Sequence, residues 1–106
     1  MTIARGDTMS RYVFVHHGYE EPTEQVMNAW MAWFGEIADS VVDQGAPFGP
    51  GREVTPTGAR DIPAGPEAAT GYTVVEAADM AAAEKLLEHC PIITSVRIYQ
   101  AMQMHE

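Results

Sequence analysis

The sequence predicts an α+β domain, and three observations support this prediction. Segments rich in β-branched and aromatic residues alternate with two segments whose apolar residues recur every three or four positions. Hydrophobic residues make up 46% of the 106-residue chain, which is ordinary for a protein with one packed core. With 20% of its residues charged, the chain is too apolar to be disordered.

The N-terminal residues 1–10 show no periodicity and are predicted to be an extension that precedes a single domain over 11–104. The run from Arg11 to His17, RYVFVHH, is rich in branched and aromatic residues and ends at Gly18. Such a run is typical of a strand, and it is predicted to be the first.

A long first helix is predicted next, because Pro22 and Thr23 have the chemistry of a helix start. Its apolar residues recur at three and four positions, the spacing of one buried face. Gly45 is expected to close the helix. The apolar stripe consists of Val26, Trp30, Trp33, Phe34, Ile37 and Val41. Trp30 is interpreted as a core residue and not as a platform for a flat ligand.

The second half of the chain continues with two strands and a loop. Arg52 to Thr57 is predicted to be the second strand, and Gly71 to Ala77, GYTVVEA, the third. Residues 58–70 between them are predicted to form a loop, because proline and glycine recur there at short intervals.

The last two predicted elements are a helix and a strand. Asp79 is expected to cap a second helix from Met80 to His89, which Pro91 must stop. The run from Ser95 to Met104 alternates branched, aromatic and polar residues and is predicted to be the final strand.

The resulting order is β, α, β, β, α, β. Right-handed crossovers then favour a ferredoxin-like split βαβ fold: a four-stranded antiparallel sheet with the first and third strands in the middle and two helices on one face. Tyr12 and Phe14 would point to one side of the first strand, and Val13 and Val15 to the other. Because two helices cover only one face, the apolar second face predicts a homodimer joined through the sheet.

Charge and cysteine content restrict the partners. The formal charge of −9 repels a nucleic acid or an anionic membrane surface, so neither is expected as a partner. The single cysteine, Cys90, excludes an intrachain disulfide, and no leader or apolar run approaches the ~20 residues of a membrane span. A cytoplasmic protein is expected.

A family resemblance rests on several segments of the second half. The strand GYTVVEA, an alanine-rich helix, Cys90-Pro91 and the strand SVRIYQAM resemble the YCII-related family, including its DGPF-type branch. A long first helix followed by the glycine turn with APFGP agrees with this, and the resemblance covers about residues 11–104. It implies a ferredoxin-like domain that forms a dimeric α+β barrel.

The functional motifs of that family are not matched here. Where the DGPF branch has Asp-Gly-Pro-Phe, this sequence has Ala64-Gly65-Pro66-Glu67. Other YCII-like proteins are proposed to use a histidine in the first helix and an aspartate before the proline that ends the second. Those places fall near Phe34 and at Cys90, so the acid–base pair cannot be assigned.

One edge of the predicted sheet nevertheless gathers reactive residues. His16, His17 and Cys90 are candidate catalytic residues, and Tyr72 and His89 are candidate substrate-binding residues. Only one of the adjacent histidines can point toward the helices, while the other faces the partner chain. A histidine could act as a general base and activate a nearby thiol, but such histidines are also common as exposed polar residues. No metal-binding spacing supports zinc or copper, so neither a metal nor a cofactor is predicted.

Three charged residues have simpler interpretations. Glu76 and Arg97 lie in strands among apolar neighbours and are expected to form an ion pair across the sheet or the dimer, with substrate contact as the alternative. Asp39 is expected to be solvated.

Two functions therefore remain open. The first is a small-molecule enzyme or binding protein that uses the cleft between helices and sheet. The second is a non-catalytic interaction or regulatory module whose cleft is filled by Trp30, Trp33 and Phe34. An open pocket lined by His16 or His17 would favour the first, and a filled core the second.

Overall fold

The fold is known from a computed structural model that describes residues 9–102. Residues 1–8 of the predicted extension, and the predicted end of the last strand at 103 and 104, lie outside the described residues. Two helices and a four-stranded antiparallel sheet confirm the α+β class.

The main sheet has the strand order β2-β5-β1-β6, so β5 and β1 occupy its centre. All of its neighbouring strands are antiparallel. The elements in chain order are β1 (Ser10–His17), α1 (Glu24–Glu36), a short 3-10 helix (Ala38–Ser40), β2 (Val41–Pro47), β3 (Arg52–Thr55), β4 (Gly58–Asp61), β5 (Ala69–Ala77), α2 (Met80–Lys85) and β6 (Ser95–Ala101).

One core joins both helices to the same face of this sheet, which we call the helix face. Alternation along the strands sends every second side chain into that core. The buried residues are Tyr12 and Phe14 of β1, Val75 and Ala77 of β5, Trp33 of α1, Ile37 at its end, Ala83 of α2 and Leu87 beyond it.

The opposite side of the sheet, which we call the open face, has no helix packed on it among the described residues. It carries the alternate residues of the central strands, as the sequence predicted for Val13 and Val15. These side chains are half-buried, and Tyr99 of β6 is 55% exposed. The open face consists of Val13, Val15, Tyr72, Val74 and Tyr99 with the charged residues Arg11, Asp43, Glu76 and Arg97.

The first helix ends earlier than predicted. It starts as expected, because the Thr23 hydroxyl accepts a hydrogen bond from the Val26 amide at 3.2 Å. It ends at Glu36, however, and Val41 begins β2 opposite Val75. Gly45 does not close a helix: it lies within β2, where the pairing with β5 shifts register.

The predicted second strand is also corrected. Arg52–Thr55 does not join the main sheet but pairs with Gly58–Asp61 as a separate hairpin. Part of the predicted loop 58–70 is therefore strand. Every residue of the hairpin is exposed, and its charges pair with one another, Arg52 with Asp61 and Arg60 with Glu53.

The boundaries of the second helix and of the third predicted strand differ from the predicted ones by a few residues. The second helix begins at Met80 behind the predicted Asp79 cap, whose carboxylate accepts from the Ala82 amide at 2.8 Å, but it ends at Lys85 and not at His89. The third predicted strand starts two residues early, at Ala69. Neither described helix is long and apolar enough to cross a bilayer.

Candidate functional site

The two adjacent histidines lie on opposite faces of the sheet at the end of β1. His16 follows Tyr12 and Phe14 on the helix face, where it contacts Trp30 and Trp33. The pairing of β1 with β5 shifts between His16 and His17, and His17 lies on the other side. The candidate residues are therefore divided between two environments.

His16 is enclosed by aromatic rings. Its ring centroid is 5.2 Å from that of Trp30 and 5.9 Å from that of Trp33, and both indoles are nearly perpendicular to the imidazole. Its Nε2 is hydrogen-bonded to the hydroxyl of the fully buried Thr73 at 3.1 Å. Its Nδ1 is buried and has no hydrogen-bond partner among the described residues.

This environment keeps His16 neutral. Burial, with a smaller contribution from the neighbouring His17, lowers the pKa of His16 to about 4. A neutral imidazole can accept a proton, but a group with this pKa is a weak base near pH 7.

The space between the helices and the sheet is filled by aromatic side chains. Trp33 is 1% exposed and donates its indole N–H to the Leu86 carbonyl at 2.8 Å. Ring centroids lie 5.0 Å apart for Trp33 and Phe34, 6.2 Å for Trp30 and Phe34, and 6.3 Å for Phe14 and Trp33. The predicted core role of Trp30 agrees with this packing, although Trp30 is half-buried and Trp33 is the more buried of the two.

Cys90 belongs to the same interior. It packs partly buried against the core, and burial raises the pKa of its thiol to about 12. Since the thiolate is the nucleophilic form, this environment opposes activation of Cys90.

His89 lies outside the interior. Its Nδ1 is 2.7 Å from a carboxylate oxygen of Glu36, and both side chains are largely exposed. The hydrogen bond to Glu36 raises the pKa of His89. His89 therefore links the end of α1 to the segment after α2, and it forms no hydrogen bond with Cys90 or with either strand histidine among the described residues.

His17 is held in one tautomer on the other side of the sheet. Its Nδ1 is 2.9 Å from the backbone carbonyl oxygen of Glu67. A carbonyl only accepts, so Nδ1 carries the proton and Nε2 of the neutral ring has a free lone pair. This Nε2 is buried and has no hydrogen-bond partner among the described residues.

Gly18 fixes the end of β1 beside His17. Its φ of 104° is in the region that favours glycine, and a Cβ there would lie 2.4 Å from Thr94 Oγ1. The Thr94 amide donates to the His17 carbonyl at 3.2 Å, and the Thr70 hydroxyl donates to the Gly18 carbonyl at 2.7 Å. The backbone around His17 is thus held on one side by β5 and on the other by the residue that precedes β6.

A cleft of about 250 Å³ opens beside this histidine, and we call it the His17 cleft. It is lined by His17, Glu67, Thr94, Ser95 and Arg97. The register explains the arrangement, because Ser95 lies opposite His17 and Arg97 lies opposite Val15 on the same face. The cleft therefore combines a cation, an acidic residue, two hydroxyls and an imidazole.

Arg97 has a different neighbourhood from the one expected. Glu76 lies opposite Arg11 in the pairing of β5 with β1, whereas Arg97 lies opposite Val15. No ion pair joins Glu76 and Arg97 within the described part of the chain, so the predicted intrachain pair is wrong. A pair across the dimer, and the alternative of substrate contact by Arg97, stay predictions. Sequence alone could not have placed Arg97 beside His17, because it does not fix the register between β6 and β1.

Tyr72 lies on the open face but not in the cleft. It is opposite Val15, its hydroxyl is 3.4 Å from a carboxylate oxygen of Asp43, and its ring stacks on Phe48 with a centroid distance of 5.8 Å. Asp39, in contrast, is exposed in the 3-10 helix, as expected for a solvated residue.

A second cleft, of about 280 Å³, lies along the exposed hairpin. Its lining includes Glu53 and Arg60, which pair with each other at 2.8 Å. The charged groups there are already satisfied, so this cleft is a weaker candidate. Between residues 9 and 102, no group of three His, Cys, Asp or Glu side chains is arranged to hold a metal ion.

Comparison with known proteins gives no match to a family model, to a curated protein or to a solved structure.

Proposed function

We propose that the protein is a homodimeric small-molecule-binding protein with a ferredoxin-like, YCII-related domain, and that its ligand occupies the His17 cleft. The observation that carries the proposal is the cleft of about 250 Å³ that is lined by His17, Arg97, Glu67 and two hydroxyls. A concave site with a few polar groups of different kinds is typical of small-molecule recognition.

The interior next to His16 is the less suitable place for a ligand. Trp30, Trp33 and Phe34 fill it, and Trp33 uses its indole N–H inside the fold. A ligand there would have to displace packed aromatic rings, which costs the free energy of their burial. The predicted site therefore moves from the helix side of the sheet to its opposite side.

A second copy of the chain is the proposed partner for the open face. The half-buried Val13, Val15 and Val74 at its centre are the residues that such a contact would bury. A stable interface buries about 800 Å² per partner, so the flanking residues of the face would have to take part.

Charge also favours a second copy. Away from the cleft, Arg11 lies opposite Glu76 on this face and balances its charge, although the whole chain has a formal charge of −9. A two-fold contact brings such a balanced surface against itself without the repulsion that two uniformly acidic surfaces would cause. The cleft lies at the His17 end of the face, where Arg97 is opposite Val15, so a contact centred on Val13 and Val74 would have to leave this end open.

The ligand site is tested by a thermal-shift screen of small metabolites on three proteins. Wild type is compared with Ser95→Phe, which fills the His17 cleft, and with Thr55→Phe, which adds the same ring to an exposed strand position of the hairpin. We expect compounds that raise the melting temperature of wild type and Thr55→Phe but not of Ser95→Phe. Equal shifts in all three proteins would place the ligand elsewhere.

The second candidate function is a non-catalytic dimeric interaction or regulatory module. The filled interior and the protonated thiol of Cys90 favour it. A protein of this kind would form the dimer. No compound in the screen would then raise the melting temperature of wild type more than it raises that of Ser95→Phe.

A further inference from the structure

We propose that the two-fold axis of the open-face dimer runs parallel to the strands, between β1 and β5, so that Arg11 of each copy pairs with Glu76 of the partner subunit. This inference rests on the proposed function, because it takes the homodimer through the open face as given. It adds the orientation of the two copies and the contact that fixes this orientation.

Arg11 and Glu76 are two charges beside the apolar centre of the open face. They lie opposite each other in the pairing of β1 with β5, next to the opposed Val13 and Val74 on the same face. Arg11 is exposed, Glu76 is half-buried, and no ion pair engages either of them among residues 9–102. Covering a carboxylate further without a partner is costly. A contact that covers the valines must therefore bring a cation to Glu76.

Symmetry restricts how a second copy can be placed on this face. Two sheets that pack face to face keep their strands roughly aligned. A two-fold axis centred on Val13 and Val74 therefore runs either perpendicular or parallel to the strands. The two orientations bring different residues together, so the charges of the face can decide between them.

The perpendicular axis gives a poor electrostatic match. It exchanges the two ends of each strand, so Asp43, at the level of the central valines, would lie against its own copy. Arg11 would lie against Val15 of the partner subunit, and Glu76 against Tyr72 of the partner subunit. Like charges would meet at one position, and both central charges would be covered by uncharged side chains.

The parallel axis pairs the same groups. It exchanges β1 with β5 and β2 with β6, so Arg11 would lie against Glu76 of the partner subunit in both halves of the dimer. Asp43 would lie against Tyr99 of the partner subunit, because both residues are at the level of the central valines. Tyr99 is 55% exposed, and its hydroxyl, which forms no hydrogen bond within the described range, could donate to that carboxylate. Arg97 would remain available to the His17 cleft.

The experiment is a charge-reversal complementation. Arg11→Glu and Glu76→Arg are studied alone and as an equimolar mixture by native mass spectrometry, with one chain labelled with a heavy nitrogen isotope. Alone, each variant faces like charges across the axis and should dimerise at least about tenfold more weakly than wild type. The mixture should form a heterodimer with a Kd within about threefold of wild type, because both contacts then join an acid to a base.

This comparison isolates the contact between chains. Each reversed residue also repels its neighbour within its own chain, but that repulsion is the same in the homodimers and in the heterodimer. Lys85→Glu makes the same charge change as Arg11→Glu at an exposed position of α2 and should dimerise as wild type does. Arg97→Glu should not restore tight dimerisation to Glu76→Arg. A heterodimer of these two variants that is as tight as wild type would assign Glu76 to Arg97 and overturn the proposed axis.

The outcomes separate this inference from the proposed function. If wild type is dimeric and the mixture binds no better than each reversed variant alone, the axis is overturned while the dimer stands. A monomeric wild type would overturn the assembly and this inference with it.

A milder pair of variants covers the case in which a reversed variant does not fold, as judged by far-UV circular dichroism. Arg11→Gln and Glu76→Gln should each weaken the dimer, and the double variant should weaken it no more than either single variant. Additive losses would overturn the pair between the two subunits.

Discussion

The imidazole of His16 lies perpendicular to the indole of Trp30, with ring centroids 5.2 Å apart and an interplanar angle of 90°. The edge-to-face arrangement, repeated with Trp33, places a titratable ring inside an aromatic enclosure at the end of a central strand. His16 thus contributes to the packing that closes the helix side of the sheet, while its neighbour His17 lines the cleft on the other side.

The first prediction concerns the pH dependence of stability. Burial lowers the pKa of His16 from 6.5 to about 4 in the folded protein, so between these values the unfolded chain binds more protons. Stability is therefore lost as pH falls from about 6.5 toward 4, and His16 contributes no further loss below that. We expect the melting temperature of wild type to fall more steeply over this range than that of His16→Gln.

His89→Gln is the control for this experiment. The pKa of His89 is raised, so its contribution is present below the unfolded pKa and is lost as pH rises through the folded one. Replacing His89 should leave the steep acid loss in place. If the melting temperatures of wild type and His16→Gln fell equally with pH over this range, the burial of a neutral His16 would be contradicted.

The second prediction ranks the two tryptophans. Trp33 is 1% exposed and hydrogen-bonded to the Leu86 carbonyl, whereas Trp30 is half-buried. Trp33→Ala should reduce the free energy of unfolding by about 3–5 kcal/mol, the usual range for a large buried aromatic, and Trp30→Ala should reduce it by less. Urea denaturation measures both changes. A larger loss for Trp30→Ala would mean that the first helix packs through a different face.

The third prediction concerns the thiol. Burial raises the pKa of Cys90 to about 12, so the thiolate population at pH 8 is very small. Folded protein should react with iodoacetamide at least tenfold more slowly than the same protein in urea. A folded rate equal to the unfolded rate would revive Cys90 as a candidate nucleophile.

The alternation of β1 made much of the core predictable from sequence. A period of two over Tyr12, Val13, Phe14 and Val15 assigns side chains to two faces without knowledge of the rest of the fold, and the structure agrees. The same rule predicted that His16 and His17 must separate. It could not decide which one faces the helices, because that depends on the strand register.

The boundary between the first helix and β2 was not predictable in this way. Ile37 and Val41 continue the helical spacing of the stripe, although Ile37 caps the helix and Val41 already pairs with Val75. Gly45 has a φ of 82°, a conformation used both at helix ends and at irregularities in strands. Gly45 could therefore be interpreted as a helix end or as a strand irregularity. The pairing of β2 with β5 decides for the strand, because it brings the backbone so close that a Cβ at Gly45 would lie 1.7 Å from the Tyr72 carbonyl oxygen.

The His17 cleft was only half predictable. His17 itself was a candidate, but Arg97 was expected to pair with Glu76, because both lie among apolar neighbours in strands that sequence alone cannot align. The register places them opposite different residues of β1, and only the folded sheet brings Arg97 beside His17.

The proposed homodimer, joined by the open face, is tested most directly by light scattering at micromolar concentration. The mass per chain is 11.6 kDa, and we expect wild type to have twice this mass. Val74→Glu, at the centre of the open face, should be monomeric with an unchanged far-UV circular dichroism spectrum. Val54→Glu, at a hairpin position that is 76% exposed, should remain dimeric. A wild-type mass of one chain, or a dimer that survives Val74→Glu, would contradict the proposed assembly.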